Sequence, residues 1–359
     1  MPFEIDFLAN PSVKQDADAI CFRFWNPGLN RYTICIFDGG TSDYAESIKK
    51  HLKNYYDDPD TIDFIFCSHP DQDHASGLRE ILELYNVRYL VMNRPWLYAH
   101  DLYPRVKDGR ITEQSLERQL RENFPYAEAL EKVALKKEIP ILNAFEGMTY
   151  AGVLKVMSPS KSFYLDLLAQ SDKTATMDAS VIETFVEKTM SKLYNLIDSW
   201  FKDSLRENVV TSEENESSII LLGEMPEEKF LLTGDAGIRA LSNAIECANN
   251  QGIDFTKDVS FYQIPHHGGR HNLSPTVMNR LVGNIISPAV SGSKSAVVSA
   301  AKDSDHPKKM VVNAFIRRGC AVTVTKGSDI CHFRAISPRQ GWSTATKESF
   351  SDHVEDWEE

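Results

Sequence analysis

One stretch constrains this chain more than any other: Phe64-Ile65-Phe66-Cys67-Ser68-His69-Pro70-Asp71-Gln72-Asp73-His74. A short apolar run, read as a buried strand over Asp63–Cys67, ends abruptly in two histidines and two aspartates within six positions. Packing does not call for such a run, because aspartate is rarely buried without a partner. Four such groups in one loop repel one another or stay unpaired unless a cation sits among them. His69 and Asp71 are two residues apart and point the same way in an extended turn, while Asp73 and His74 can serve a second position across the loop. Two ions held roughly 3.5–4 Å apart would share a water or hydroxide and clamp an ester-like oxygen from both sides. The plainer alternatives are an acidic surface turn that binds nothing, or a single structural cation.

At 359 residues, with 42% apolar residues, the chain has material for one large domain or two ordinary ones. Its formal net charge of −12 argues against broad, charge-driven binding to nucleic acid or anionic membranes but leaves room for a local basic channel. The six cysteines are scattered, with no C-x-x-C pair, and most fall in apolar runs, which suggests a reducing compartment. No apolar leader opens the sequence and no long apolar stretch interrupts it, so a cytoplasmic protein is expected.

Ala19–Trp25 and Tyr32–Phe37 read as a hairpin joined at Asn26-Pro27-Gly28. Ser42 is the expected cap of a helix bearing Tyr44, Ile48 and Leu52, Gly77 the expected start of another, and Val87–Met92 the next strand. Residues 111–138 read as charged helices and Thr149–Ser158 as strands. Between 160 and 214 the pattern changes. Ile182, Phe185, Val186, Met190, Leu193, Ile197, Trp200 and Phe201 recur at helical spacing, so the segment reads as a helical insertion within one 1–359 domain. From 218 strands return: Ser218–Leu222, Lys229–Leu232 before Thr233-Gly234-Asp235, Val259–Ile264 before His266-His267-Gly268, Ala296–Ser299 and Ala321–Thr325. Ser274-Pro275 signals a helix start, and Gly319 the end of a helix that begins near His306-Pro307. The acidic tail 351–359 is expected to fray. Loops at the carboxyl ends of strands in a layered α/β protein are where chemistry is usually built.

Three strand-ending loops thus carry metal-type side chains. Together they resemble the metallo-β-lactamase superfamily, which carries H-x-H-x-D-H, a later bridging aspartate and a final histidine. The resemblance is nearest to the lactamase-like domain of ComEC-type DNA-uptake proteins, with His69-Pro70-Asp71-Gln72-Asp73-His74, Asn215-Glu216-Ser217-Ser218, Thr233-Gly234-Asp235 and His266-His267-Gly268. It spans about residues 14–335 apart from the insertion and implies a four-layer αβ/βα sandwich. It also implies two divalent ions, Mn²⁺ or Zn²⁺. The first would take His69, Asp71 and Asp235; the second Asp73, His74, Asp235 and one histidine of the doublet, His266 being favoured because it comes first after the strand. Many relatives have a further mid-chain histidine for the first ion, and this sequence has no good candidate between His100 and His266. A carboxylate in place of an imidazole hardens the site toward manganese.

The expected chemistry is hydrolysis by a metal-bridging hydroxide oriented by Asp73. His267 would contact substrate oxygens or protonate the leaving group, and His306 could do likewise; a supporting histidine and a helix cap are the plain alternatives. Asp38 is expected to fix loops behind the ligands. A phosphodiesterase or nuclease acting on DNA or RNA heads the readings, with Lys161, Lys173, Arg270, Lys308 and Lys309 as candidate substrate-binding cations. The alternatives are a small-molecule ester, lactone or phosphocholine-type diester hydrolase, or a regulatory protein that keeps the fold and works with a protein partner. A homo-oligomer remains open, and no membrane association is expected.

Overall fold

The computed structural model describes residues 1–105, 111–174, 196–290 and 292–357. Two seven-stranded mixed sheets face each other. The first has the order Ile330–Arg334, Phe3–Phe7, Ala19–Asn26, Arg31–Gly39, Thr61–Phe66, Asn86–Val91, Ile141–Leu142. It is antiparallel up to Arg31–Gly39 and parallel beyond it. The second has the order Cys320–Val324, Lys294–Val298, Val259–Gln263, Lys229–Leu232, Ile220–Glu224, Leu154–Ser158, Thr149–Tyr150. Its parallel pairs run from Cys320–Val324 to Lys229–Leu232 and its antiparallel pairs follow.

Strand periodicity sorts side chains between layers. Along Ala19–Asn26, Ile20, Phe22 and Phe24 point into a core between the sheets, where they join Phe37, Phe66, Phe230 and Phe261. Ala19 and Cys21 point outward, beneath the helices Tyr44–Tyr55, Gln72–Leu84 and Pro125–Lys136. The second sheet buries its outer face against the helices Ile238–Asn250, Pro275–Leu281 and Lys309–Ile316. The result is the expected αβ/βα layering. No helix among the described residues is long and apolar enough to cross a membrane.

Several local expectations change. The helix expected to open at Gly77 begins at Gln72, inside the His/Asp motif, with Asp71 at its N-cap. Gly77 lies within it because the helix passes against the backbone of Gly39: a Cβ at Gly77 would stand 2.0 Å from the Gly39 carbonyl oxygen. Ser42 does not cap the first helix, whose N-cap is Asp43 without a side-chain bond. Two of the longer strands carry no expectation from the sequence. Phe3–Phe7 alternates correctly, but its intervening Glu4 and Asp6 are also buried, because Arg23 and Arg339 meet them from neighbouring segments. Ile330–Arg334 pairs with it and ties the far end of the chain to the first sheet.

In the 160–214 segment, Ile182, Phe185, Val186, Met190 and Leu193 lie outside the described residues. Lys161–Gln170 is helical as expected. Leu196–Ile197 is instead a strand, paired with His353–Val354 of the tail. Tertiary contacts override the helical spacing there: Asp198 is buried against Arg317 and Asn313, and the Trp200 indole donates to the Ile286 carbonyl. The tail expected to fray is docked as far as Trp357, whose ring centroid lies 4.8 Å from the guanidinium carbon of Arg206 and 4.8 Å from that of Arg270.

Candidate metal centre

Four strands contribute to the centre at their carboxyl ends. Asp38 closes Arg31–Gly39, Ser68 and His69 follow Thr61–Phe66, Asp235 follows Lys229–Leu232, and His266 and His267 follow Val259–Gln263. Asp73 and His74 lie in the first turn of Gln72–Leu84. Asp18 precedes Ala19–Asn26 and is tied to the motif through its backbone: its N–H donates to the Asp73 carbonyl at 3.2 Å.

The donors form two lobes around Asp235. Its Oδ2 lies 3.9 Å from His69 Nε2 and 3.7 Å from His266 Nε2, and Asp71 Oδ2 lies 3.8 Å from His69 Nε2. Its Oδ1 lies 3.2 Å from His74 Nε2, beside Asp73 Oδ2, which stands 3.9 Å from His74 Nε2 and 3.5 Å from His267 Nε2. Asp18, His74, Asp235 and His267 bring their ligand atoms within 4.8 Å of one another, all buried. Donors about 2.1 Å from one tetrahedral ion stand roughly 3.4 Å apart, so these separations suit a shared cation.

All four histidines are held in the same manner. His69 Nδ1 meets Ser68 Oγ at 3.0 Å, His74 Nδ1 meets Asp38 Oδ2 at 2.8 Å, His266 Nδ1 meets Asn272 Oδ1 at 2.7 Å and His267 Nδ1 meets the Ser299 carbonyl at 3.2 Å. With Nδ1 so engaged, each ring turns Nε2 toward the centre, the arrangement that orients an imidazole ligand. His69 Nε2, His74 Nε2, His267 Nε2, Asp235 Oδ1 and both oxygens of Asp18 are buried without a hydrogen-bond partner. Each such orphan costs about 1–3 kcal/mol, and a convergent set of acceptors is what a cation satisfies. The donor set therefore fits divalent metal.

The electrostatics agree. Burial opposes charge on His74, yet Asp235, Asp38 and Asp73 outweigh it and raise its pKa. Burial likewise opposes charge on His267, but Asp18, Asp73 and Asp235 push its pKa up to about 10. Burial would raise the Asp235 pKa, yet His74, His266 and His267 hold it well below the usual carboxylate range. For Asp18 burial wins over His267 and His74, and its pKa is raised. The carboxylates thus favour positive charge at the centre.

His69, Asp71, Asp73, His74, Asp235, His266 and His267 come together, but the doublet divides its roles differently from expectation. His267 faces Asp73 in the second lobe, and His266 turns toward His69 in the first. The cause is backbone geometry: both residues have left-handed φ, 50° and 53°, which splays their rings to a centroid separation of 5.9 Å. His266 therefore takes the first-lobe place for which no mid-chain histidine was found. His306 is not one of these donors; its Nδ1 meets Asp16 at 2.9 Å. Asp38 lies behind the ligands, bonded to His74, Ser68 Oγ and the Ser68 N–H. Asp18 was missed. Within Asp16-Ala17-Asp18 it carries no spacing signal, and long-range backbone bonds alone bring it to the cluster.

Residues 33–143 match the family model described as the metallo-beta-lactamase superfamily. No curated protein matches the chain. Solved structures with similarity include an archaeal metallo-beta-lactamase superfamily protein from Sulfolobus tokodaii, 12% identical over 80% of this chain and 91% of that one, with a TM-score of 0.30. Another is a metallo-beta-lactamase family protein from Thermus thermophilus, 13% identical over 69% of this chain and 68% of that one, TM-score 0.30. A third is the hydrolase AbOPH of the beta-lactamase superfamily, 12% identical over 72% of this chain and 82% of that one, TM-score 0.32.

Proposed function

We propose that the chain, whose residues 33–143 match the model of the metallo-beta-lactamase superfamily, is a two-metal phosphodiesterase or nuclease. One observation carries the reading: two sets of donors share Asp235, one carboxylate oxygen to each set, and His69 Nε2, His74 Nε2, His267 Nε2 and Asp235 Oδ1 are buried there without a hydrogen-bond partner. The donors are carboxylates and imidazoles without a thiolate, a set that favours hard ions such as manganese and, with them, phosphoryl oxygen. We therefore expect manganese to support at least as much activity as zinc.

His69, Asp71, Asp235 and His266 would hold one ion, and Asp73, His74, Asp235, His267 and Asp18 the other. Bound there, the pair would supply an activated water near neutral pH and offset negative charge developing on the phosphoryl group. Asp73, whose side chain is 30% exposed, is the carboxylate we assign to orient the attacking water. Between Asp73 and Asp18, His267 is better suited to hold an ion than to protonate a leaving group. His306 remains the candidate proton donor, since Asp16 engages its Nδ1 and leaves Nε2 to exchange a proton.

The test is elemental analysis of purified protein, then a substrate panel with Mn²⁺ and Zn²⁺: single-stranded DNA, duplex DNA, RNA, bis-p-nitrophenyl phosphate and a lactone. Diester turnover that disappears in Asp73→Ala is the expected result. Protein holding two ions that hydrolyses the lactone and none of the diesters would refute the assignment.

A further inference from the structure

Asp71 divides its two oxygens between two partners. Oδ2 faces His69 Nε2 at 3.8 Å, on the ion side, while Oδ1 accepts a hydrogen bond from Lys173 Nζ at 2.8 Å. Lys173 comes from the turn Asp172–Thr174, which follows the helix Lys161–Gln170. The turn is braced from three sides. Ser171 Oγ donates to Glu214 and accepts from the Lys173 N–H at 3.1 Å, the Asn123 side-chain amide donates to the Lys173 carbonyl, and Nζ lies 5.6 Å from the Phe124 ring centroid. An ammonium is thereby fixed beside the two ligand carboxylates that reach solvent, Asp71 and Asp73, each 30% exposed.

Three of the other basic residues considered for substrate have partners of their own. Lys161 pairs with Asp101, Lys308 with Asp305, and Arg270 donates to the Asp356 carbonyl under the Trp357 ring. Lys173 has three N–H groups, of which Asp71 takes one, and its side chain is 40% exposed. We infer that Lys173 is a substrate-binding residue: it receives an anionic phosphodiester oxygen at the mouth of the centre while keeping Asp71 turned toward His69. The inference rests on the phosphodiester reading above and deepens it by assigning the charge that recognises the substrate.

The experiment titrates inorganic phosphate into manganese-loaded wild type, Lys173→Gln and Lys173→Arg by calorimetry, with the ion content of each measured. The expected result is about tenfold weaker phosphate binding in Lys173→Gln at unchanged ion content, with most of the affinity restored in Lys173→Arg. With bis-p-nitrophenyl phosphate, KM should rise in the glutamine variant more than kcat falls. Equal phosphate affinity in wild type and Lys173→Gln overturns the inference. So does a wild type that binds no phosphate, or a glutamine variant that loses ions together with affinity. Lys173-dependent phosphate binding without turnover of any diester would leave Lys173 as the anion-binding residue of the centre and defeat the phosphodiesterase reading. Diester turnover with Lys173-independent phosphate binding would do the reverse.

Discussion

Asp235→Asn is the sharpest perturbation of the proposed centre, because Asp235 is the carboxylate that faces both lobes. An amide keeps the shape and loses the charge that both ions would share. An ion present at 1,000 times its dissociation constant stabilises the folded state by about 4 kcal/mol. Unfolding entropy of about 2.1 cal/mol/K per residue, over 359 residues, gives about 0.75 kcal/mol/K. Each ion should therefore raise Tm by about 5 °C, and two by about 10 °C. The assay is scanning calorimetry of chelator-treated protein before and after reloading, alongside elemental analysis. Wild type should gain the full shift and two ions; Asp235→Asn should gain half of it or less and hold at most one. A variant that keeps two ions and the full shift would refute the shared-carboxylate reasoning. A wild type whose Tm ignores manganese and zinc would refute the centre itself.

Gly77→Ala should destabilise the protein by about 2–3 kcal/mol in urea, because the new methyl meets the Gly39 carbonyl oxygen at 2.0 Å and pushes out the helix that carries Asp73 and His74. An unchanged denaturation midpoint would show that the contact relaxes freely. Asp6 gives a pH prediction: burial would raise its pKa, but His51 and Arg339 hold it at about 2, against 3.8 for the free group. A depressed carboxylate stabilises the fold above its unfolded pKa and loses that contribution as pH falls through its folded one. The difference in unfolding free energy between wild type and Asp6→Asn should thus shrink by about 2 kcal/mol from pH 5 to pH 2, and a constant difference would refute the assignment. Truncation after Phe350 removes Trp357 and the Glu355 carboxylate that accepts from the backbone N–H groups of Lys309 and Met310. A loss of about 3 kcal/mol is expected, lowering Tm by about 4 °C, and calorimetry that finds no change would mean that the tail only rests on the surface.

The parts of the centre that could be read from sequence are those whose residue types are improbable for packing. His69, Asp71, Asp73 and His74 declare themselves within six positions, and Asp235 and the 266–267 doublet each end an apolar strand. What could not be read depends on long-range geometry. No spacing rule distinguishes His266 from His267, because their division of labour comes from two consecutive left-handed residues. Asp18 looks like an ordinary polar flank until the Asp18 N–H meets the Asp73 carbonyl and the Asp18 carbonyl accepts from the Gly40 N–H at 2.7 Å. The strand Phe3–Phe7 alternates as a strand should, but its buried acids look like solvent-facing residues unless Arg23 and Arg339 are known to reach them.

The same geometry says something about assembly. Asp18, His69, Asp71, Asp73 and His74 hang from the first sheet, and Asp235, His266 and His267 from the second. Neither set closes around a cation without the other: the first lacks the central carboxylate, and the second lacks His69 and His74. Ser68 joins the two halves, its carbonyl accepting from the Ile219 N–H at 2.9 Å while Asp38 and His69 hold its hydroxyl. A Cβ on Gly234 would stand 2.9 Å from the Ser68 Cβ, so the loop bearing Asp235 passes this close because that residue is glycine. Ion binding at the proposed centre would therefore be coupled to the packing of one sheet on the other, and whatever separates the sheets should release metal before it melts either of them.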